Sequence, residues 1–292
     1  MRFGAAALSL VTVVTGCAGE GGGTAGPETV TLSFRAQALE AGEEDYLCFG
    51  FPATQLAGRA VERIAWVPPS GGGVSLHHAT LYAMQSPFPD GPLSCTWMPD
   101  DAVGIHIWGT GTEPLHMPEG FALSIPEGTT KMVVQAHVLR TSEAPANEAS
   151  VVLGMAASPP EHLAAWHSTV TDVPAIPPHA TATASSRCLA RGDVHTLFAW
   201  PHMHRFGKAF HGAIERAGGG ETPIVDVAAW DVTREVIHPA SVDIATGDVI
   251  VTRCTWENTS PEVVEGGFDV SDEMCTQGLI WWPADAPRCK PL

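Results

Sequence analysis

Five histidines and one methionine of this chain are candidate ligands for a transition metal, and they lie in four short segments: His77 and His78, His137, His202 and His204, and Met274. A thioether sulfur is a poor ligand for zinc, calcium or magnesium and a good one for Cu(I). Imidazole binds both oxidation states of copper. These residue types therefore predict a copper protein.

The pair His202-x-His204 follows the apolar residues 197–201. Side chains at i and i+2 of a strand point to the same face, so two imidazoles placed there can reach one ion. Such a pair alone is a weak motif, and without a second signal a structural or surface role is favoured. Met274, in the segment S-D-E-M-C at 271–275, is that second signal, although a lone methionine more often fills a core.

His77 and His78 are adjacent, so on a regular strand their side chains face opposite ways. Both can bind one ion only if the backbone is irregular, and the three glycines at 71–73 favour a loop or a β-bulge there. His137 ends the apolar run 132–137 and is the candidate third ligand. A hydrogen-bonded core histidine at 137 and a turn at 77–78 remain open as alternatives.

The remaining histidines show no comparable spacing, and structural or exposed positions are expected for them: His106, His116, His162, His167, His179, His195, His211 and His238. His195 precedes His202 by an odd number of positions, so on a regular strand it faces the other side. The spacing reveals no acid–base pair and no Ser-His-Asp arrangement.

The N-terminus reads as an export signal, with a basic residue before the apolar stretch 3–14, and we do not expect it to form a fold element. It is shorter than the roughly 20 apolar residues that cross a membrane. Residues 14–17 resemble a bacterial lipobox that would lipidate Cys17, the alternative being a cleaved signal with an incidental cysteine. Residues 1–17 are thus predicted as a lipoprotein signal and 18–28 as a Gly-rich tether. The predicted protein is exported and held by lipid alone at a bacterial membrane, in the periplasm or at the cell surface.

Without Cys17, the chain has six cysteines: Cys48, Cys95, Cys188, Cys254, Cys275 and Cys289. An even number in an exported chain predicts three disulfides, but six cysteines allow 15 pairings. No C-x-x-C spacing occurs, which argues against a zinc ribbon or a thioredoxin-type site.

The charge balance excludes one class of partner. The chain has 15 basic and 32 acidic residues, a formal net charge of −17, and no cluster of Lys and Arg. Nucleic acid is not an expected partner, because binding it requires neutralisation of phosphates.

The pattern of short segments predicts an all-β protein. The 30 glycines and 24 prolines separate runs rich in Val, Ile, Thr and Trp. The chain after the tether is long enough for two domains, and Ser158-Pro159-Pro160 predicts a boundary between 29–158 and 159–292. The predicted strands include 29–34, 63–67, 131–139, 151–155, 194–200, 249–255 and 278–282.

These segments together resemble the copper type II, ascorbate-dependent monooxygenases. The resemblance extends from about Thr29 onward. It is carried by H-H at 77–78, Q-A-H at 135–137, H-M-H-R-F-G-K at 202–208, the run from 247 through 254 to 267, and S-D-E-M-C at 271–275.

The resemblance implies two tandem antiparallel β-sandwich domains, jelly-roll-like, that face each other across a cleft and carry one copper each. It assigns an electron-transfer copper to His77, His78 and His137. It assigns the copper at which O2 is activated to His202, His204 and Met274. It also implies the disulfides Cys48–Cys95, Cys188–Cys289 and Cys254–Cys275.

The implied reaction is hydroxylation of a C–H bond of a small organic substrate with O2, with ascorbate as reductant and one electron stored at each copper. A non-catalytic copper-binding lipoprotein for metal buffering or delivery is the alternative. A blue-copper carrier requires a cysteine thiolate ligand, and no cysteine here has suitable spacing.

The substrate-contacting positions depart from the peptide-hydroxylating members of the family. Trp200 replaces an arginine, and Thr276 and Gly278 replace an asparagine and a tyrosine. Peptide C-terminal amidation is therefore not expected. Trp200 and the pair Trp281-Trp282 favour an apolar or aromatic substrate, unless they are simply core residues.

Overall fold

The structure is a computed structural model that describes residues 10–14, 28–36 and 42–292. Cys17 and the predicted tether up to residue 27 lie outside the described residues. The chain divides into two compact units. The first runs up to Gly109 and continues with Pro114–Leu163, and the second consists of Thr110–Glu113 and Ala164–Leu292. The sequence did not predict that a short segment before residue 114 joins the second unit.

The first unit is built from two antiparallel sheets. One has the order β1-β2-β11-β4-β9 with β8 beside β4, and the other has the order β6-β3-β10-β5-β7. A single 3-10 turn, Thr54–Leu56, follows β3. The strands are β1 (Leu10–Val14), β2 (Thr29–Phe34), β3 (Glu44–Pro52), β4 (Ala60–Val67), β5 (Val74–Met84), β6 (Leu93–Ser94), β7 (Val103–Gly109), β8 (Leu115–His116), β9 (Phe121–Ser124), β10 (Lys131–Arg140) and β11 (Ala149–Met155).

The second unit also contains two antiparallel sheets, with the orders β12-β19-β14-β17 and β16-β15-β18-β13-β20. Its strands are β12 (His162–Val170), β13 (Thr181–Leu189), β14 (Val194–His202), β15 (Gly207–Glu215), β16 (Glu221–Val227), β17 (His238–Ile244), β18 (Val249–Glu257), β19 (Thr276–Trp282) and β20 (Lys290–Pro291). Within the described ranges, no helix has the length and apolarity needed to cross a membrane.

Alternation of apolar and polar residues explains the sandwich of the first unit. Strand β2 buries every second side chain, Val30, Leu32 and Phe34. The Phe34 ring lies 4.8 Å from the ring of Phe49, which belongs to β3 in the other sheet. The two sheets therefore pack face to face through these alternate positions.

The core of the second unit lies between its two sheets. Ala199 and Leu279 come from β14 and β19, and Phe210, Ile250 and Cys254 come from β15 and β18. All five are at most 1% exposed. The prediction of an all-β protein built from β-sandwiches is confirmed, and every strand run predicted from the sequence lies within an observed strand.

One expectation about the N-terminus is wrong. Leu10–Val14 forms β1 and pairs antiparallel with β2, so part of the apolar segment 3–14 does join a sheet. Its run of β-branched and apolar residues, L-V-T-V-V, is as suitable for a strand as for a signal core. The export signal itself stays a prediction.

Three disulfides join the six cysteines. Cys48–Cys95 lies in the first unit, and Cys188–Cys289 and Cys254–Cys275 lie in the second. These are the pairings that the family resemblance implied. Disulfides persist in oxidising compartments, so they indicate a protein that is exported from the cytosol.

Candidate metal centres

The first candidate centre lies on a β-bulge between β5 and β10. His78 is opposite His137, but the next pair is Leu76 with Val138, so His77 is the extra residue. The extra residue of a bulge breaks the alternation of side chains, so neighbouring residues can point to the same side of the sheet. The irregular backbone predicted at His77 and His78 is confirmed, and all three imidazoles meet.

The three imidazoles form a compact group in which the potential ligand atoms lie within 4.8 Å of one another. The Nδ1 atoms of His77 and His78 are 3.2 Å apart. Two nitrogens that share an ion at about 2.0 Å each can be at most about 4 Å apart. His137 is 1% exposed and His78 7%, so water has little access to this group.

Two residues of β3 orient these histidines. The Tyr46 hydroxyl lies 3.3 Å from His78 Nε2, and the Tyr46 ring stacks on the ring of His137 at 4.3 Å. A Glu44 carboxylate oxygen lies 3.6 Å from His137 Nε2. The Glu44 carboxylate favours a proton on His137 Nε2, which leaves the Nδ1 lone pair of His137 for a metal. The Tyr46 hydroxyl can donate or accept, so it orients the His78 ring without setting its tautomer. The sequence did not reveal Glu44 and Tyr46, because their proximity depends on the pairing of Tyr46 with His137.

The second candidate centre lies where β14 ends. His202 is the last residue of β14, and His204 lies in the turn before β15. The expectation that both belong to one strand is therefore wrong for His204. The two rings are nevertheless adjacent, with centroids 5.2 Å apart and planes at 82°.

Hydrogen bonds fix the tautomer of both histidines. His202 Nδ1 lies 2.8 Å from a Glu235 carboxylate oxygen, and His204 Nδ1 lies 2.9 Å from the Asp272 carbonyl oxygen. A carbonyl and a carboxylate can only accept, so each Nδ1 carries the proton and each Nε2 offers its lone pair. Both histidines are at most 2% exposed.

The buried carboxylate of Glu273 joins the His204 turn to the segment that carries Met274. It accepts the backbone N–H of His204 at 3.0 Å and that of Phe206 at 2.6 Å, and it also bonds the backbone of Met274. Burial raises the pKa of Glu273, and these three hydrogen bonds oppose that effect. Met274 is partly buried two residues before β19, beside the Cys254–Cys275 disulfide.

Glu235 is a functional candidate that the sequence did not reveal. It is fully buried. The backbone N–H of Glu235 donates to the Thr110 carbonyl at 2.9 Å, and the Thr112 hydroxyl donates to the backbone carbonyl of Glu235. Neither the loop that carries Glu235 nor the segment at 110–113 has a motif that predicts this meeting. Glu235 thus supplies the carboxylate that commonly orients a metal-binding histidine.

Comparison with known proteins places this geometry in a family. The model of the C-terminal domain of copper type II ascorbate-dependent monooxygenases matches residues 164–290, which include both histidines of the second centre, Glu235 and Met274. Residues 164–290 are therefore assigned to the C-terminal domain of the copper type II ascorbate-dependent monooxygenases. Imidazole binds both oxidation states of copper, and a thioether is a good ligand for Cu(I).

The similarity to one curated relative also includes the first unit. The chain is 25% identical over 279 residues to peptidyl-glycine alpha-amidating monooxygenase A of Xenopus laevis. The alignment covers 88% of this chain and 28% of the relative, so the chain spans less than a third of the relative's length.

Similarities to solved structures are weak. The tandem CBM22 domains of Xyn10C from Paenibacillus barcinonensis are 11% identical with a TM-score of 0.21, over 94% of this chain and 92% of that chain. The structure of infectious bursal disease virus, Gt strain, is 10% identical with a TM-score of 0.20, over 100% and 81% of the two chains. Neither supports a functional assignment.

We expect that Glu235→Ala weakens copper binding at the second centre by about 10- to 100-fold, the effect of removing a partner of a metal-binding histidine. Glu235→Gln should have a smaller effect, since an amide oxygen still accepts from His202 Nδ1. Competition with a Cu(I) chelator measures both affinities. Equal affinities in the wild type and in Glu235→Ala would contradict this role.

A second group of potential metal ligands is not a metal centre in this structure. His167 Nε2 lies 3.2 Å from Cys289 Sγ, and both are close to Cys188. The two cysteines form a disulfide, so they present no thiolate. Burial and, secondarily, Arg288 lower the pKa of His167 to about 4, which indicates a neutral structural histidine.

Two features of the surroundings of His195 were not evident from the sequence. A bulge in β14 between Thr196 and Phe198 reverses the alternation, so His195 pairs with Trp282 and shares the face of His202. In addition, the His195 ring lies between Asp243, at 2.6 Å, and the Ser241 hydroxyl, at 3.2 Å. This Ser-His-Asp row was not evident from spacing. The Asp243 side chain is 91% exposed, so solvent screens its charge, and we assign the row no catalytic role.

Proposed function

We propose that this protein is a copper-dependent monooxygenase that hydroxylates a C–H bond of a small organic substrate with O2 and ascorbate. The observation that carries the proposal is the orientation of His202 and His204. Their Nε2 lone pairs are set by Glu235 and by the Asp272 carbonyl, next to the segment of Met274, within a domain of the monooxygenase family.

Two copper ions are assigned to each chain. His77, His78 and His137 hold the first, and a second set, His202, His204 and Met274, holds the other. Copper bound there would supply one-electron transfer and the activation of O2. The reaction consumes O2, two electrons and two protons, and it yields the hydroxylated substrate and water.

The protein contributes preorganisation rather than acid–base catalysis. Three of the imidazoles are oriented before copper binds, because hydrogen bonds hold one ring nitrogen of His78, His202 and His204 to Tyr46, Glu235 and the Asp272 carbonyl. The burial of His78, His137, His202 and His204 limits the access of bulk water to these four histidines. Export and a lipid anchor at Cys17 complete the proposal, which gives the protein no other contact with a membrane and no nucleic-acid partner.

The test is the copper-to-protein ratio of a soluble form that starts after Cys17. We expect about two coppers in the wild type and about one in Met274→Ala and in His137→Ala, because each variant lacks one of the three ligands of a different centre. His116→Ala removes an exposed histidine of β8 and should leave the ratio unchanged. One copper or none in the wild type would overturn the assignment.

Turnover distinguishes an enzyme from a copper carrier. The wild type should consume O2 with ascorbate and form a hydroxylated product in equal amounts, and Met274→Ala should lose both. Two bound coppers without any ascorbate-dependent product would instead indicate a protein for copper buffering or delivery.

A further inference from the structure

The register of β14 and β19 shows which side chains lie beside His202. His202 is opposite Thr276, and Trp200 is opposite Gly278, across β14 and β19. Directly opposed residues of antiparallel strands point to the same face. Trp200 and Thr276 therefore lie beside His202, on the side away from the core of the second unit.

Indole rings make this face largely apolar. The Trp200 ring stacks on the His202 ring with centroids 4.8 Å apart and planes at 10°. The Trp166 ring lies 6.2 Å from Trp200 and covers Gly278, where an added Cβ would come within 2.2 Å of the indole. The glycine at 278 is what allows Trp166 to lie there, since any other residue would displace it.

Three polar atoms of residues next to His202 have no hydrogen-bond partner among the described residues. They are Trp200 Nε1, Thr276 Oγ1 and Glu235 Oε1. Trp200 and Glu235 are fully buried and Thr276 is 9% exposed. Each belongs to a residue that contacts or directly opposes His202. A buried polar atom without a partner costs about 1–3 kcal/mol, so three beside one histidine mark a place that receives a polar group.

The chemistry of the three atoms selects that group. The indole N–H can only donate, the carboxylate oxygen of Glu235 can only accept, and the Thr276 hydroxyl can do both. A hydroxyl group has both capacities, since it can accept from an indole N–H and donate to a carboxylate oxygen. A carboxylate lacks the proton that Glu235 requires and is repelled by it, and an ammonium group cannot accept from Trp200.

We propose that the second centre binds an uncharged, mainly apolar alcohol or phenol, whose hydroxyl is held by Trp200, Thr276 and Glu235. This inference rests on the proposed function, because it takes the copper-binding histidine His202 as the point that the substrate must reach. It names the class of substrate that the family match leaves open.

Calorimetric titration of three probes that share one skeleton tests the proposal. They are 3-phenylpropan-1-ol, 3-phenylpropanoate and 3-phenylpropan-1-amine, each added to the copper-free and to the copper-loaded protein. We expect the alcohol to bind at least about tenfold more tightly than the other two. This difference corresponds to about 1.4 kcal/mol, the contribution of one hydrogen bond. Equal or tighter binding of the carboxylate would overturn the proposal.

Matched variants locate the binding site. Trp200→Phe keeps a ring against His202 but removes the N–H, and Thr276→Val keeps the shape but removes the hydroxyl. Each should weaken binding of the alcohol about 5- to 10-fold and leave binding of the carboxylate unchanged. Trp256→Phe is the control, since Trp256 Nε1 is also buried without a described partner but lies in the core of the second unit. Unchanged alcohol binding in Trp200→Phe, or equal weakening in Trp256→Phe, would contradict the assignment.

The two proposals fail in different ways. If the alcohol binds preferentially but no ascorbate-dependent product forms, the copper-enzyme proposal fails and the hydroxyl site stands. If turnover is found with substrates that lack a hydroxyl and the alcohol shows no preference, the hydroxyl site is wrong and the monooxygenase proposal stands.

Discussion

Glu273→Ala is expected to lower the free energy of unfolding of the second unit by about 3–5 kcal/mol and to abolish copper binding at its centre. The Glu273 carboxylate accepts the backbone N–H groups of His204 and Phe206 and also bonds the backbone of Met274. In the variant, these three backbone N–H groups lose their acceptor, and the position of the lost carboxylate is fully buried. Because the same carboxylate joins the two segments that carry ligands, His204 and Met274 lose their common support.

Urea unfolding of the copper-free protein measures the stability of Glu273→Ala without a contribution from the metal. Glu273→Gln keeps one acceptor oxygen and should give an intermediate loss. Glu257→Ala is the control: this carboxylate pairs with Lys208 at the surface, both side chains being 52% exposed, and its removal should cost less than about 1 kcal/mol. If Glu273→Ala unfolds like the wild type and still binds two coppers, the carboxylate does not support the centre.

The candidate ligands of both centres could be proposed from residue type and local spacing, whereas the residues that orient them could not. Adjacent histidines after three glycines predict a bulge, because no regular strand could direct both to one ion. Glu44 and Glu235 carry no such local signal. They reach His137 and His202 only because strands and loops distant in sequence are brought together.

The face of a strand is predictable only while its alternation is unbroken. Strand β2 alternates throughout, and its three buried residues follow from the sequence. Strand β14 contains one extra residue between Thr196 and Phe198, which moves His195 to the face of His202. No glycine or proline marks that bulge in the sequence, so its effect could only be seen in the structure.

Acid should destabilise the first unit through His106. This histidine of β7 accepts a hydrogen bond from Trp66 Nε1 at 3.1 Å, and burial lowers its pKa from 6.5 to about 3. The folded state therefore keeps His106 neutral where the unfolded chain takes up a proton. The stability that this provides is fully present above pH 6.5 and is lost as the pH falls from 6.5 towards 3. Between pH 7.5 and pH 5, the loss should be about 2 kcal/mol.

His106→Gln tests this expectation, because the Gln side chain can still accept from Trp66 Nε1 but does not titrate. Urea unfolding at pH 7.5 and pH 5 should show a pH dependence that is about 2 kcal/mol smaller in the first unit of the variant than in the wild type. His167→Gln is the matched change in the second unit, where the pKa of the histidine is lowered to about 4, and it should reduce the pH dependence of that unit instead. An unaltered pH dependence in His106→Gln would mean that His106 is protonated in the folded protein, and the buried contact with Trp66 would then need a different explanation.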